Sequence, residues 1–499
     1  MYIECRVAIH SSLTMLSAPD RDFLSLLSEA AFANPFGEDR TRIDRTLAGA
    51  PKREEEPAVL ARLLSRVRER IAGLPDADVR RYAGAERALV EQAILFDAFH
   101  RVAGDFDAFI LEQIDAPPKR GKTGVVPFGR ETIAWLVAAG FDEGEASRYF
   151  SLFYQLRRAF HFIARTLPGS VPSMRRLRER LWANVFTHDP RFYARYLWRK
   201  MEDFSTILLG GTGTGKGIAA AAIGRSGWIP YDAGRGVFIE SFVDSFLSIN
   251  LSQFSGALIE SELFGHKKGA FTGAIEGHAG VLARCTRHGA IFLDEIGEIG
   301  VPLQIKLLRV LQEREYSPVG GHEVERFSGR VIAATNRPLD DLRARGEFRD
   351  DFYYRLCSDV IEVPSLAVRL QEDPREIDVL LTVILRRIVG DDAAEAHALV
   401  RTAIDRDLGP DYAWPGNVRE LEQCARRVLL TRRCTDDVNR KAHDLRSADD
   451  AALLEAAGEE TVKGLVTRYC RALYARHPSY EEVARRTGLD RRTVKAHVT

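Results

Sequence analysis

A glycine-rich loop between an apolar segment and an alanine-rich segment constrains the fold of this chain more than any other feature. Residues 205–209 have the pattern of a buried strand, and the loop after them has the spacing G-x-x-x-x-G-K. The loop consists of Gly210, Gly211, Thr212, Gly213, Thr214, Gly215 and Lys216. Glycines let backbone N–H groups turn towards phosphates, the following helix N-terminus adds partial positive charge, and the lysine reaches the β- and γ-phosphates. The sequence therefore predicts an α/β P-loop core that binds ATP.

A second apolar segment ends in two carboxylates, Asp294 and Glu295. Beside a P-loop, Asp294 is expected to hold Mg²⁺ and Glu295 to polarise the attacking water as a general base. The residue after the P-loop lysine is Gly217, where P-loop proteins usually have the Ser or Thr that contacts magnesium. We therefore expect Asp294 to hold the metal through water where that hydroxyl is missing. The alternative, a strand that merely ends in surface acids, is disfavoured by the adjacent P-loop.

The length of 499 residues is too great for one core and indicates roughly three domains. Apolar residues at helical spacing in 58–71 and 85–99 predict a helical N-terminal region, and short apolar strands alternate with helices after residue 173. The predicted divisions are a helical N-terminal regulatory region (1–170), an α/β ATPase subdomain (173–366), a helical lid (367–435), a linker (436–458) and a C-terminal helical unit (459–499).

Composition narrows the class of protein further. Apolar residues make up 45% and charged residues 28% of the chain, which is typical of a soluble globular protein. The formal net charge is zero, so any nucleic-acid surface must be local. The six cysteines form no C-x-x-C pair, which argues against a zinc site or a disulfide framework. No apolar run approaches a membrane span and no secretory signal pattern is present, so we expect a cytoplasmic protein.

A hexapeptide lies between the two halves of the predicted nucleotide site. It consists of Gly269, Ala270, Phe271, Thr272, Gly273 and Ala274, and the residues before it, 260–268, read ESELFGHKK. The hexapeptide and its flank closely resemble those of bacterial enhancer-binding proteins, the NtrC-like AAA+ transcription activators. The resemblance implies that this loop contacts sigma-54 in RNA polymerase, with Phe271 and Thr272 as the contact residues. A flexible glycine-containing surface loop is the alternative, and the intact flank disfavours it.

The same resemblance covers residues 173–432 and implies roles for five further residues. Asn336 is implied as the sensor I residue, Arg419 as the sensor II arginine, and Asn250 as the residue that restrains the catalytic glutamate. Arg349 and Arg355 are implied as arginine fingers that act on the next subunit, where a guanidinium neutralises charge on the transferred phosphoryl group. Surface ion pairs with neighbouring aspartates are the alternative for these two arginines. Residues 225–241 look like an insertion.

The C-terminal unit has the pattern of a helix-turn-helix. Residues 479–482 have capping-box spacing, a glycine turn follows at Gly488, and a second helix is expected after Asp490. Residues 459–499 contain nine Lys or Arg and five Asp or Glu, a local positive excess. The enhancer-binding family places a Fis-like DNA-binding domain here, and the alternative is a helical hairpin for dimerisation. The predicted contacts with double-stranded DNA are Arg491, Arg492, Thr493 and Lys495.

Together these features predict an ATP-hydrolysing activator that binds upstream DNA, assembles into a homo-oligomeric ring, and remodels the closed complex of sigma-54 RNA polymerase. The resemblance implies a hexamer. One alternative is a DNA-binding regulator that uses ATP only as an assembly switch, and another is an AAA+ unfoldase or DNA-processing ATPase unrelated to transcription. The N-terminal region lacks the pattern of a receiver domain, and His100 and His161 are expected simply to pack on apolar helical faces.

Overall fold

The structure is a computed structural model that describes residues 14–51, 53–119, 121–254, 256–390, 393–434 and 461–498. The described chain divides into two compact units. The first contains residues 14–397 and 412–423, and the second contains 398–411, 424–434 and 461–498. The predicted linker at 436–458 lies outside the described residues. None of the described helices is long and apolar enough to span a membrane.

The N-terminal region is helical, as the periodicity predicts. The helices described between residues 18 and 186 are α1 (Ala18–Phe32), α2 (Glu38–Ala48), α3 (Glu56–Ala72), α4 (Gly84–Asp115), α5 (Gly129–Ala138), α6 (Glu143–Arg165) and α7 (Pro172–Phe186). Side chains cap several of them: Ser17 accepts a hydrogen bond from the N–H of Asp20, and Asp142 accepts one from that of Glu145. A one-turn helix, α8 (Pro190–Phe192), follows. The predicted boundary near residue 170 falls between α6 and α7.

A five-stranded parallel sheet forms the centre of the ATPase region, in the order β4-β5-β8-β1-β9. Its strands are β1 (Thr206–Leu209), β4 (Phe246–Asn250), β5 (Ala290–Asp294), β8 (Arg330–Thr335) and β9 (Asp359–Glu362). Two small antiparallel pairs are β2 (Tyr231–Asp232) with β3 (Val237–Phe238), and β6 (Glu315–Tyr316) with β7 (Glu325–Arg326). The carboxyl ends of β1, β5 and β8 lie at one edge, which is where ligands bind in open α/β sheets.

The ATPase and lid regions also contain helices, which follow here in chain order. They are α9 (Lys216–Gly224), α10 (Gly256–Phe264), α11 (Val281–Arg284), α12 (Val301–Glu313), α13 (Leu339–Ala344), α14 (Asp350–Leu356), α15 (Leu366–Glu372), α16 (Glu376–Val389), α17 (Ala393–Asp407) and α18 (Asn417–Thr431). After the linker come α19 (Val462–Arg476), α20 (Tyr480–Thr487) and α21 (Arg491–Val498).

Alternate residues of the central strands point into two different cores. Leu208 and Ile332 belong to a core that runs from the sheet through α9 to the N-terminal helices. Ile207 and Ala333 point to the opposite face, where α12 and α14 cover them. This alternation is the two-residue period of a strand that is buried on both faces. The N-terminal region therefore shares a hydrophobic core with the ATPase sheet.

The segment that looks like an insertion, residues 225–241, contains the β2–β3 hairpin. Tyr231 and Phe238 of the hairpin are buried, and both rings pack against Phe150 of α6 at centroid distances of 4.7 and 6.0 Å. The fully buried Arg158 of α6 donates to the carbonyl oxygens of Arg225 (2.7 Å) and Gly227 (2.6 Å) at the start of the segment. The insertion therefore joins the ATPase region to the N-terminal helices.

Candidate nucleotide site and exposed loop

The P-loop connects β1 to α9, in the strand–loop–helix setting that the sequence predicts. Three of its glycines, Gly210, Gly213 and Gly215, have positive φ values of 154°, 78° and 104°. A Cβ atom on Gly213 would lie 2.3 Å from the carbonyl oxygen of Gly416, so only glycine fits there. These glycines turn the loop so that it can cradle phosphates.

Lys216, the first residue of α9, folds its side chain over the loop. Its Nζ atom donates to the carbonyl oxygens of Gly210 (2.8 Å) and Gly211 (3.1 Å). Burial lowers the pKa of Lys216, while the nearby carboxylates of Glu295 and Asp294 act in the opposite direction. The ammonium group therefore lies within the loop, in reach of an anion bound there.

The two predicted catalytic carboxylates lie at the carboxyl end of β5. Asp294 is the last residue of that strand, and Glu295 has a left-handed backbone conformation with φ 57°. The Glu295 Oε2 atom accepts a hydrogen bond from the backbone N–H of Asn336 at 3.4 Å. The Asn250 side chain donates to the Asp294 Oδ2 atom at 3.4 Å. Asn250 thus contacts Asp294, whereas the resemblance implies a partner at Glu295.

The sensor I candidate, Asn336, follows β8 and contacts the P-loop. Its Nδ2 atom donates to the Thr212 hydroxyl oxygen at 3.0 Å. The end of β8 is therefore joined to the tip of the P-loop through a side chain that can respond to what the loop binds.

The start of α18 also contacts the P-loop. The backbone N–H of Val418 donates to the carbonyl oxygen of Gly213 (3.1 Å), and the sensor II candidate Arg419 lies beside the same glycine. Asn417 donates from Nδ2 to the Thr212 carbonyl oxygen (3.0 Å) and accepts the N–H of Leu366 (2.8 Å). Sequence reasoning missed Asn417. The feature of the sequence that could have identified Asn417 is its position directly after Gly416. The backbone φ of Asn417 is 53°, a value that Asn adopts more readily than most residues.

The residues present fit ATP with Mg²⁺, because the P-loop offers N–H groups and a lysine while Asp294 offers a carboxylate. Magnesium commonly takes one or two protein carboxylates together with phosphate oxygens and waters. Among the described residues no cluster of three His, Cys, Asp or Glu side chains forms a metal site by itself. A Cβ atom at position 217 would have only the Phe292 ring within 4 Å, at 3.8 Å. Gly217 therefore leaves open space where a hydroxyl ligand usually stands.

The two arginine-finger candidates lie on α14 and at its N-cap, and both have partners within the chain. Arg349 forms an exposed ion pair with Asp351, with Nη2 and Oδ2 2.6 Å apart. Arg355 donates from Nε and Nη2 to the carbonyl oxygen of Leu311 in α12, at 3.0 and 2.8 Å. The Arg349 side chain is therefore available at the surface, whereas Arg355 also ties α14 to α12.

The predicted sigma-54 loop forms a closed turn with an exposed tip. The N–H of Gly269 donates to the Ala274 carbonyl oxygen (2.8 Å), and that of Ala274 donates to the Phe271 carbonyl oxygen (3.0 Å). Gly269 and Gly273 have φ values of 81° and 101°. Phe271 and Thr272 are exposed, and nothing lies within 4 Å of where a Cβ of either glycine would be. The tip is thus free to touch another molecule.

The base of this loop is fixed to the rest of the ATPase region. His266 pairs with His278 through two backbone hydrogen bonds of 2.9 Å, and its ring lies 4.9 Å from that of Phe271. Lys267 forms an ion pair with Glu323 at 2.7 Å. These contacts connect the base of the loop to residues outside the loop, at His278 and Glu323.

The C-terminal unit contains three helices, and short turns separate the last two from each other and from the first. Ser479 caps α20 by accepting the N–H of Glu482, and Gly488 has a left-handed conformation between α20 and α21. Asp490 caps α21 and accepts the Thr493 hydroxyl, so Thr493 is partly engaged within the helix. The other three DNA-contact candidates are exposed: Arg491, Arg492 and Lys495. They give the second helix a basic surface.

Comparisons with known proteins find the following similarities. The family model described as Sigma-54 interaction domain matches residues 194–362. The Sigma54-dependent transcriptional activator SfnR of Pseudomonas putida is 38% identical over 283 residues, which cover 54% of this chain and 68% of that protein. The Nif-specific regulatory protein of Azotobacter vinelandii is 41% identical over 227 residues, which cover 45% of this chain but only 40% of that protein. The crystal structure of NtrX from Brucella abortus in complex with ATP has 21% identity and a TM-score of 0.42, over 74% of this chain and 80% of that one.

The fold and the site define an AAA+ P-loop protein, with the nucleotide-binding residues at the carboxyl edge of a parallel sheet. The chain belongs to the family of sigma-54-dependent, enhancer-binding transcription activators.

Proposed function

We propose that this protein hydrolyses ATP in a homo-oligomeric ring and uses the energy to remodel the closed complex of sigma-54 RNA polymerase. The observation that supports this best is a continuous connection from the nucleotide site to the exposed loop. Asn250 contacts Asp294 and also accepts hydrogen bonds from the N–H (3.0 Å) and hydroxyl (2.7 Å) of Ser252. Residues 251–253 lead into α10, and α10 ends directly before the base of the loop at Gly265. A change at Asp294 can therefore move the tip at Phe271 and Thr272.

Each residue of the nucleotide site has a separate task in this proposal. ATP with Mg²⁺ supplies the phosphoanhydride bond that is hydrolysed. Lys216 exchanges its contacts with loop carbonyls for contacts with phosphate oxygens, and Asp294 holds the metal. Glu295 accepts a proton from the attacking water at a carboxylate oxygen. Asn336 and Arg419, which both lie beside the P-loop, sense which nucleotide is bound.

Subunit assembly completes the site in this proposal. Arg349 releases Asp351 and inserts into the nucleotide site of the neighbouring subunit, where it neutralises the transferred phosphoryl group. Arg355 is the second finger and must also leave the Leu311 carbonyl oxygen. By family resemblance the ring is a hexamer.

DNA binding is assigned to the C-terminal helices. The exposed Arg491, Arg492 and Lys495 on α21 are the proposed contacts with the major groove or phosphates of double-stranded DNA, and Thr493 contributes from the same helix. Binding at an upstream site would hold the ring near its polymerase.

A second candidate function rests on Gly217. Because this residue supplies neither the usual hydroxyl nor any other side-chain ligand, nucleotide binding could serve assembly alone, in a DNA-binding regulator that does not hydrolyse ATP. The presence of Glu295 beside Asp294 favours hydrolysis instead. Release of phosphate by the full-length protein distinguishes the two.

The test of the proposed function is ATP-dependent open-complex formation on a sigma-54 promoter. The full chain is used, because the N-terminal helices share a core with the ATPase sheet. Wild type should form open complexes, and Thr272→Ala should lose them while it continues to hydrolyse ATP. The matched control is Thr46→Ala, which removes another exposed threonine hydroxyl, in α2. Hydrolysis by wild type and Thr272→Ala with open complexes from neither would contradict a sigma-54 target.

A further inference from the structure

A cavity of about 890 Å³ lies among the N-terminal helices, and none of its lining residues belongs to the nucleotide site. Helices α1, α2, α3, α4, α6, α7 and α8 contribute residues to its wall. Protein sites for small organic molecules typically measure about 300–1,000 Å³ and are lined mostly by apolar and aromatic side chains. Phe96 and Phe99 of α4 lie in the wall together with Phe153 and Phe160 of α6. The cavity therefore has the size and the lining to hold the ring system of a small molecule.

The charged residues of the wall are predominantly basic. The cavity is lined by six arginines and by three acidic residues, which are Asp44, Glu56 and Glu91. The arginines are Arg40, Arg45, Arg148, Arg157, Arg191 and Arg195. A cleft that is lined mainly by charges of one sign concentrates their field and attracts ligands of the opposite sign. The wall should therefore attract an anion, provided that other carboxylates do not neutralise these arginines.

Ion pairs neutralise only part of this positive charge. The pairs that involve residues of the wall are Arg40 with Asp44, Arg157 with Asp107, Arg191 with Asp189, and Glu91 with Arg87. The second residue in each of the last three pairs lies outside the wall. Among the residues that the structure describes, Arg45, Arg148 and Arg195 form no ion pair, and Glu56 is the one acidic residue of the wall in the same position. An excess of positive charge therefore remains at the cavity.

Four guanidinium groups of the wall lie over aromatic rings that also line the cavity. The pairs, with the distance from Cζ to the ring centroid, are Arg40 with Phe96 (5.8 Å), Arg148 with Tyr149 (4.9 Å), Arg157 with Phe160 (5.2 Å) and Arg191 with Phe32 (5.1 Å). A guanidinium that stacks on a ring can still bind a carboxylate through the N–H groups at its edge. Arg148 is the member of these four that forms no ion pair with a described residue, so its charge is the least compensated.

We propose that this cavity binds an organic anion, a small molecule with an aromatic body and a carboxylate or similar acidic group. Its rings lie against the phenylalanine side chains of α4 and α6, and its acidic group binds Arg148. Helices α6 and α7, which form part of the wall, also pack against the P-loop helix α9. Two helices thus connect an occupied cavity to the nucleotide site.

The test titrates the full-length protein with two fluorescent dyes that share one ring system. The first, 8-anilinonaphthalene-1-sulfonate, is an anion, and the second, N-phenyl-1-naphthylamine, lacks the sulfonate and is uncharged. Wild type should bind the sulfonate dye saturably. Arg148→Met removes the charge but keeps an unbranched apolar side chain, so it should weaken binding of the sulfonate dye roughly three- to tenfold and leave binding of the uncharged dye unchanged. The matched control is Arg165→Met on the same helix, where the arginine is exposed and outside the wall, and it should bind both dyes as wild type does.

A second pair of variants tests whether the dyes occupy the cavity. Leu95 and Leu111 both lie on α4, but Leu95 lines the cavity and Leu111 is exposed. Leu95→Trp adds bulk at the wall and should weaken binding of both dyes, because it takes space from their shared rings. Leu111→Trp should bind both dyes as wild type does.

Three results would overturn the proposal. They are the absence of saturable binding of the sulfonate dye by wild type, wild-type binding of both dyes by Leu95→Trp, and an Arg148→Met variant that either binds the sulfonate dye normally or loses both dyes equally. Circular dichroism establishes whether each variant is folded. If Leu95→Trp does not fold, Arg148→Met decides, because a loss confined to the sulfonate dye requires the charge of Arg148 at the site. If Arg148→Met does not fold, Arg148→Gln takes its place.

Discussion

The ring of Tyr154 in α6 stacks on the ring of Phe238 in the β2–β3 hairpin, with centroids 3.9 Å apart. Both residues are buried, so a hairpin that belongs to the ATPase region completes the core of the N-terminal helices. This contact gives the insertion a structural role that its sequence does not indicate. It also makes the stability of the two regions interdependent.

Phe238→Ala should therefore lower the free energy of unfolding of the full chain by about 3–5 kcal/mol, because it leaves a cavity between the hairpin and α6. Urea unfolding followed by tryptophan fluorescence measures this. The control is Ile239→Ala, whose side chain is 42% exposed and should matter by less than about 0.5 kcal/mol. Equal effects of the two substitutions would show that the hairpin does not belong to the shared core.

The P-loop strand, loop and helix could be predicted because their signal is local: an apolar run, fixed glycine spacing and a helix former follow one another in sequence. The helix Tyr480–Thr487 could be predicted for the same reason, because Ser479 marks its start and Gly488 its end. The packing of Phe238 on Tyr154 could not be predicted, because these residues are distant in sequence and either could belong to any apolar face. Asn250 shows the same limit, since its position at a strand end is readable but its partner Asp294 is not.

The P-loop glycines should differ in their response to substitution. Gly217 lies in α9 without a positive φ, and a Cβ there makes only ordinary contact with Phe292. Gly217→Ala should raise the free energy of unfolding by about 0.5–1 kcal/mol, because alanine has less conformational freedom to lose. Gly213→Ala should be destabilising and should impair ATP binding, because its Cβ would collide with the Gly416 carbonyl oxygen. Thermal unfolding with and without ATP compares them, and similar responses would mean that the loop does not have this geometry.

His100 should make stability depend on pH. Burial lowers its pKa to about 4, and its Nδ1 atom is hydrogen-bonded to the Phe96 carbonyl oxygen at 2.8 Å. In the unfolded chain a histidine has a pKa of about 6.5, so below that pH the unfolded state binds a proton that the folded state does not. The stabilisation is complete above about pH 6.5 and is lost as the pH falls towards 4, by about 2 kcal/mol between about pH 7 and about pH 5.

His100→Gln should remove this part of the pH dependence, whereas the same substitution at the exposed His188 should leave it unchanged. Urea unfolding at the two pH values gives the difference for each variant. A pH dependence in His100→Gln equal to that of wild type would mean that the ring is accessible to protons in the folded state.

The arginine-finger assignment can be tested by mixing inactive variants. The ion pair of Arg349 lies at the surface, so Arg349→Ala should leave the stability of the fold close to that of wild type and yet abolish ATP hydrolysis. Glu295→Gln should also abolish hydrolysis, because the general base is lost.

If Arg349 acts on the neighbouring subunit, a mixture of the Arg349→Ala and Glu295→Gln variants contains interfaces at which an intact Glu295 faces an intact Arg349. The mixture should therefore recover part of the wild-type rate, measured as phosphate release, while each variant alone stays inactive. Arg355→Ala is expected to cost stability as well, because its guanidinium also holds the Leu311 carbonyl oxygen. No recovery in a mixture whose two components both bind ATP and assemble would contradict catalysis across the interface.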